Sequence, residues 1–396
     1  MSISRREFVG MTGLAAAKAL SGDMEGAGIG PVKTYRAAVI GRTGRGNYGH
    51  GLDLAFQKIP NVTVVAVADE DPAGRLRTVQ RTGALRAYAD WREMLSKEKP
   101  DLVTIGPRWV EDRLEMVTAA AQAGSHIYME KPMARSLEEA DAILTVASRH
   151  GIQIALAHQA RVAPAIVYLK EKLEGGLIGE LLEMRTRGKE DHRAGGEDLM
   201  VLGTHCLYLM RFFAGEPLWC CARVTQSGKD IKVGDRRAAT EPLGPVAGDA
   251  IHASYAFAGG IQGYFASQKV HDGAGGRFEI ALYGSKGIVR VHIDQNPAIY
   301  VLADPLWSPG KSGTAWRSLP GCPGNEDPSG LTGAEASNKR TVEDLIRAIE
   351  TGKPSVVSGY EGRATLEMIM AVYVSHLQGG RAAFPLKDRR HPLGEL

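Results

Sequence analysis

Short apolar runs alternate with amphipathic stretches along the first third of the chain. Val62–Ala68 reads VTVVAVA, an unbroken β-branched run that suits a strand buried on both faces of a parallel sheet. Residues 37–40, a short stretch near Ala87, Leu102–Ile105 and His126–Met129 carry the same signal. Helical patterns separate them at 51–57, 75–80, 91–97 and 111–123, the last closed by Gly124. Alternation of this kind with short connections predicts a doubly wound α/β domain.

The texture changes after Pro132. A helix over 137–149 leads to an apolar stretch at 152–157, and a helix follows over Pro164–Glu174. Strand signals then dominate: Leu181–Arg187, 222–226, 251–257, 261–269, 278–283 and 288–293. Gly259-Gly260 and the turn from Gly284 to Gly287 join consecutive strands, so these pairs read as antiparallel hairpins. Helical periodicity returns at 341–350 and 362–377. The expected organisation is a tail over 1–32, a dinucleotide-binding domain over 33–150 and a second α/β domain over 151–396. Two long irregular stretches, 227–248 and 303–333, read as active-site loops or contacts between copies.

Composition narrows the function. With 44% hydrophobic and 23% charged residues, the 396-residue chain has the make-up of a folded two-domain protein. Its 48 basic and 45 acidic groups nearly cancel, and no basic run stands out, which argues against nucleic acid as a partner. Four cysteines in no metal-binding spacing read as inert thiols, and no metal site is expected. No segment approaches the length of a membrane span. At the N-terminus, Ser4-Arg5-Arg6-Glu7-Phe8 followed by a short apolar stretch matches the twin-arginine export pattern and predicts a periplasmic or exported protein.

Three constellations carry candidate chemistry. The first is the glycine-dense turn after the strand at 37–40, YRAAVIGRTGRGNYGHG from Tyr35. Gly41, Thr43, Gly44, Arg45 and Gly46 are placed to hold a diphosphate at a helix N-terminus. Asp69, at the end of the next strand, is placed to accept hydrogen bonds from an adenosine ribose, which favours NAD over NADP. The second is Glu130-Lys131-Pro132 at another strand end, where a lysine reaches both a nicotinamide and a substrate hydroxyl; Pro107, after the strand at 102–105, belongs to the same rim. The third runs from Gly195 to His205. A single helix over 198–213 puts His205 on the same face as Asp198, two turns on, and makes acid–base work credible.

The ordered set of glycine loop, VAVAD, Glu130-Lys131-Pro132, Arg161-Val162-Ala163-Pro164, LGTH ending at His205 and Tyr283-Gly284-Ser285-Lys286-Gly287 resembles the glucose-fructose oxidoreductase, inositol dehydrogenase and MocA family. The likeness runs from Ala37 to Leu393. It implies a Rossmann domain followed by an α/β domain with a large, mostly antiparallel open sheet that packs homodimers or homotetramers. It also implies NAD(P) and hydride transfer at a sugar, polyol or glycoside CH–OH. By position, Lys131 looks like the family lysine that bridges nicotinamide and substrate, and His205 like the family histidine. Gln159 takes a place often held by Asn, two residues before Arg161, and both are expected at the substrate. The acid four residues before the histidine is Val201 here. Asp198 or Glu197 would have to supply it, so Lys131, His205 and Asp198 form the expected catalytic set. Residues 189–193 and His271-Asp272 are candidate pocket loops. Two rival readings stand beside dehydrogenation: a glycosidase or lyase that uses tightly bound NAD for transient redox, and a non-catalytic NAD-binding protein.

Overall fold

In the computed structural model, which describes residues 33–269 and 275–395, six parallel strands run in the order 3-2-1-4-5-6. They are β1 (Tyr35–Ile40), β2 (Val62–Ala68), β3 (Arg86–Tyr88), β4 (Leu102–Ile105), β5 (His126–Met129) and β6 (Ile154–Leu156). The helices α1 (Pro72–Thr82), α2 (Trp91–Glu98), α3 (Arg113–Gln122) and α4 (Leu137–His150) return the chain between them. Side chains of β1 and β4 are buried almost throughout, which explains why these strands read as continuous apolar runs. Strand order reverses between β1 and β4, and a crevice for a ligand opens at such a point, beyond the carboxyl ends of the strands.

Two expectations need correction. β6 pairs with β5 in parallel, so the first sheet runs past residue 150 and the boundary between halves lies beyond Leu156. No α-helix follows the glycine-rich turn. Leu52–Leu54 forms one 3₁₀ turn, and turns continue to Lys58, whose φ of 57° stops further winding. The reason is local: Asp53 is drawn inward to an ion pair with Arg81, and Pro60 follows immediately.

After α5 (Pro164–Glu174) the chain builds a second sheet of ten strands, antiparallel except where β7 (Leu181–Arg187) pairs with Gln262–Gln268. Both glycine turns expected as hairpins join antiparallel neighbours. Ala298–Leu302 adds a strand that its sequence had not signalled. Met184, Tyr255, Phe265 and Leu282 face a core made with the helices, while Tyr264 lies 42% exposed on the opposite face. Tyr35–Leu396 is one compact unit, so the two sheets share a frame.

The last two helices close that frame. Gly333–Thr351 packs on β5 and β6 as well as on its own half. Its fully buried Asn338 is satisfied in every direction. It accepts from the hydroxyl of Tyr128 on β5 (2.7 Å) and from Gln159 (3.2 Å), and donates to the carbonyls of His50 (3.0 Å) and Gly51 (3.2 Å). One side chain from the far end of the sequence thus fixes three segments around the carboxyl end of the first sheet. Such a network is stable only because no member is left unpaired.

Candidate active site

A cavity of about 480 Å³ opens where β5 ends, between the two sheets. His50, Lys131, Gln159, Lys189, His205 and His292 are among its lining residues. At its floor, Glu130 is fully buried and fully engaged. One oxygen accepts both the amide (2.6 Å) and the ring Nδ1 (2.7 Å) of His50, and the other accepts the Lys131 amide (3.0 Å). Burial alone would raise this carboxyl, but its contacts with the His50 ring and amide, together with the Lys131 charge, outweigh it and hold it at about 2. Gly49 makes the approach possible: its φ is +63°, and a Cβ there would stand 2.3 Å from the Glu130 side chain.

The Lys131 ammonium is 3% exposed and donates to the Val201 carbonyl at 3.0 Å. That carbonyl is available because the expected single helix is two. α6 (Gly196–Val201) ends at Leu202, and α7 (Gly203–Ala214) begins directly after it. The His205 amide turns to Leu202 rather than to Val201, which leaves the Val201 oxygen without its intrahelical donor. Burial pushes the Lys131 ammonium below its ordinary value, against the pull of Glu130.

The break also overturns the role expected of Asp198. Its carboxylate accepts from the Ser267 hydroxyl (2.5 Å) and from the amides of Lys189 (3.2 Å) and Glu190 (3.1 Å), and no hydrogen bond joins it to His205. Glu197 is no substitute, since it is engaged by Thr240 and lies beside Arg237. His205 is instead packed edge-on against His158, ring centroids 5.6 Å apart, and against Phe278 at 6.3 Å. Burial, then Lys131 and His158, push its imidazole well below the usual range, so it is neutral near pH 7.

Other candidates divide. Gln159 and Lys189 line the cavity. Arg161 does not, because its guanidinium stacks on Phe212 at 4.0 Å. Arg193 is held by Asp191, so only the first residue of the loop 189–193 reaches the site. His271 and Asp272 lie outside the described residues, as does the twin-arginine segment.

The glycine-rich turn is closed on itself. Arg42 and Asn47 exchange backbone hydrogen bonds, and the Gly44 amide donates to the Asn47 side chain at 2.9 Å. Asp69 is 2% exposed and accepts from the Thr43 amide (3.1 Å) and hydroxyl (2.7 Å), the Tyr48 hydroxyl (2.7 Å) and the Asp71 amide (3.0 Å). In this conformation neither Thr43 nor Asp69 is offered to a dinucleotide, contrary to expectation. Arg45 stacks on Trp109 and pairs with Glu111, and the Pro107 carbonyl accepts from Arg113. Gly46 (φ +85°) lies so close to the next loop that a Cβ would come within 2.6 Å of the Arg108 amide. The chemistry nonetheless suits a diphosphate. Arg42, Arg45 and Arg108 flank the turn; Arg42 is paired with Glu70 and Asp112, Arg45 with Glu111 and Arg108 with Glu241, and a diphosphate would share these cations with the carboxylates.

Residues 35–158 match the model of an oxidoreductase family's NAD-binding Rossmann fold, and residues 170–384 match that family's C-terminal alpha/beta domain. The chain belongs to the glucose-fructose oxidoreductase, inositol dehydrogenase and MocA family. Among the family's characterised members, levoglucosan dehydrogenase of Pseudarthrobacter phenanthrenivorans is 25% identical over 295 residues, which cover 66% of this chain and 75% of that enzyme. D-apiose dehydrogenase of Paraburkholderia graminis is 31% identical over 196 residues, 47% of this chain and 51% of that protein, so the match spans about half its length. A levoglucosan dehydrogenase structure in complex with NADH and levoglucosan superposes with a TM-score of 0.69 at 21% identity, covering 89% of this chain and all of that one. At that identity the likeness is one of fold.

His50, His158 and Asn338 were missed by sequence reasoning. His50 sits inside the glycine motif, and only the spacing to Glu130 in three dimensions singles it out. His158 stacks on Tyr208 (4.7 Å) and bonds Thr204 through Nε2 (2.9 Å), with Nδ1 buried and unpartnered. Burial, then Lys131, lower its imidazole to about 3. The unfolded chain takes up this proton below about pH 6.5 and the folded chain only near 3, so folding stability is lost as pH falls across that window. The slope is at most about 1.4 kcal/mol per pH unit. Urea denaturation of wild type and His158→Gln at a series of pH values is expected to show the variant's stability falling less steeply between about pH 6.5 and 4.

Proposed function

We propose that this chain is an NAD-dependent dehydrogenase that transfers hydride between nicotinamide and a CH–OH group of a sugar, polyol or glycoside. The observation that carries the reading is Lys131. A buried ammonium with a single protein acceptor stands at the carboxyl end of a Rossmann strand, in a polar cavity of a size that suits a small ligand. The sugar dehydrogenases among its relatives support the same class of substrate.

Each residue has a definite task. Gly41, Thr43, Gly44, Arg45 and Gly46, with Pro107 on the facing rim, border the diphosphate crevice, and Arg42 and Arg108 supply charge. Asp69 becomes an acceptor for ribose once Thr43 and Tyr48 release it. When bound, NAD supplies the hydride acceptor. Lys131 spends one N–H on Val201 and turns its remaining donors toward the substrate oxygen, where its charge stabilises a developing alkoxide in a site shielded from water. Glu130 keeps the Lys131 backbone in place. His205, neutral, and Gln159 hydrogen-bond the remaining hydroxyls. NAD is favoured over NADP because the Asp69 carboxylate at the end of β2 would repel a 2′-phosphate.

Native mass spectrometry of the purified protein with NAD, followed by absorbance assays with a panel including levoglucosan and D-apiose, tests this reading. Turnover with at least one sugar is expected, with Lys131→Ala lowering kcat/KM by about 10²–10³-fold or more while NAD still binds. Absence of NAD binding and of turnover on every sugar would contradict it.

The open face of the second sheet supports a further reading, that two copies pack there as a homodimer or as part of a homotetramer. Tyr264 is 42% exposed in a groove also lined by Arg185, Arg223, His252 and Tyr283. Sedimentation is expected to show a dimer or tetramer that Tyr264→Asp breaks down; a monomeric wild type removes the idea. The Ser4-Arg5-Arg6-Glu7-Phe8 pattern supports export. No described helix is long and apolar enough to cross a membrane. Cell fractionation is expected to find the protein in the periplasm and Arg5→Lys/Arg6→Lys in the cytoplasm; an unchanged distribution counts against export.

A further inference from the structure

We infer that His50, held by Glu130, is the group that takes the substrate's hydroxyl proton. The inference rests on the dehydrogenase reading and assigns a catalytic residue within it. His205 is poorly suited to that work. Val201 stands where an acid would orient it, Asp198 is committed to Ser267 and two amides, and Lys131 and His158 disfavour its protonated form. The carboxylate–imidazole pair that proton transfer calls for exists elsewhere on the cavity wall.

That pair is built for the task. Glu130 is ionised and wholly buried, and its oxygen lies 2.7 Å from Nδ1 of His50. An acceptor-only carboxylate at that distance fixes the proton on Nδ1 and leaves the lone pair on Nε2. Nε2 makes no hydrogen bond to any described residue, and the ring, 37% exposed, lines the cavity with Lys131 and His205. The backbone is pinned twice, by the His50 amide on Glu130 and by Asn338 on the His50 carbonyl. The same carboxylate therefore sets both the imidazole and the Lys131 main chain, and the base and the alkoxide-stabilising cation share one support.

Lys131, His205 and Glu130 surround the ring from β5 and α7, and Lys189, Arg277, Glu279, His292 and Asp294 line the cavity beyond. In the oxidative direction the substrate O–H bond breaks and its proton passes to Nε2. The carbon-bound hydrogen leaves with its electron pair to oxidised nicotinamide, and a carbonyl forms. The Glu130 charge compensates the imidazolium as it appears, and Lys131 steadies the oxygen until the hydride has gone. In reduction the imidazolium returns the proton.

The test uses the full chain loaded with NAD and two independent readouts. Nitrogen-15 NMR of the histidine rings, without substrate, is expected to show His50 with its proton on Nδ1, and Glu130→Gln to lose that signature; a wild-type proton on Nε2 overturns the proposal. With the panel sugar that wild type turns over, His50→Gln is expected to lower kcat by about 10²–10⁴-fold with KM little changed. Added imidazole is expected to restore part of the activity of His50→Ala, which a merely structural role would not allow. Wild-type turnover with His50→Gln unimpaired overturns this proposal alone. A wild type silent on every sugar overturns the dehydrogenase reading beneath it.

Discussion

The buried carboxylate of Glu130 is the contact on which the arrangement of the site depends. A charge with no exposed surface is tolerated only when its oxygens are satisfied by well-placed donors, and removing one side of such a pair is strongly destabilising. Glu130 gathers its donors from two places: His50 on the glycine-rich loop and its own neighbour Lys131 at the end of β5. The Arg113 guanidinium, itself buried, takes the Glu130 carbonyl and secures the strand end from the helix side. The loop, the strand and the cavity floor cannot shift independently while this carboxylate stays charged.

A second constraint comes from the half that carries the large sheet. The interruption at Leu202 would weaken an isolated helix, yet it exposes one carbonyl at the place where a buried ammonium needs an acceptor. The Val201 oxygen and the Lys131 ammonium answer each other's deficit, and the two halves are joined at the cavity wall. Asn338 does the same with neutral groups, tying the closing helix to Tyr128, Gln159 and the turn at His50. The cavity is therefore walled by both halves and braced by polar contacts between residues 70 to 288 positions apart in sequence.

The first sheet was legible because strands buried on both faces have no polar face to confuse the pattern; Val62–Ala68 and Leu102–Ile105 were read to the residue. The ends of elements were legible where glycine or proline punctuates them, as at Gly124 and Pro164. Two expected helices were lost for physical reasons. The helix expected at 51–57 was lost to the inward pull on Asp53 and to the positive φ of Lys58, neither of which has a local sequence signal. The helix expected at 198–213 broke at Leu202-Gly203, where the His205 amide bonds Leu202 and the poor helix former Gly203 opens the second helix. Lys131 was found from its place at a strand end. His50 was not, since its partner lies eighty positions away and proximity of that kind is a property of the fold.

The glycine-rich loop combines two anchors of different strength, and this asymmetry bears on how a dinucleotide would enter. At its far end His50 is tied to a fully buried carboxylate and to Asn338, contacts whose loss would strand charge or polar groups in the interior. At its near end Thr43 and Tyr48 compete for Asp69, a carboxylate at the mouth of the crevice, with Gly44 and Arg45 exposed beside it. A ligand that brings hydroxyls to Asp69 would replace those near-end bonds with equivalent ones, while its negative charge would share Arg42 with Glu70 and Asp112 and Arg108 with Glu241. No such exchange is available at Glu130. The near end is thus the part of the loop that can yield to a cofactor, and Gly46 and Gly49, both at positive φ between the anchors, are where the backbone can absorb the change. His50 would stay in place while the crevice opens, so the geometry around Lys131 would be set before a cofactor arrives.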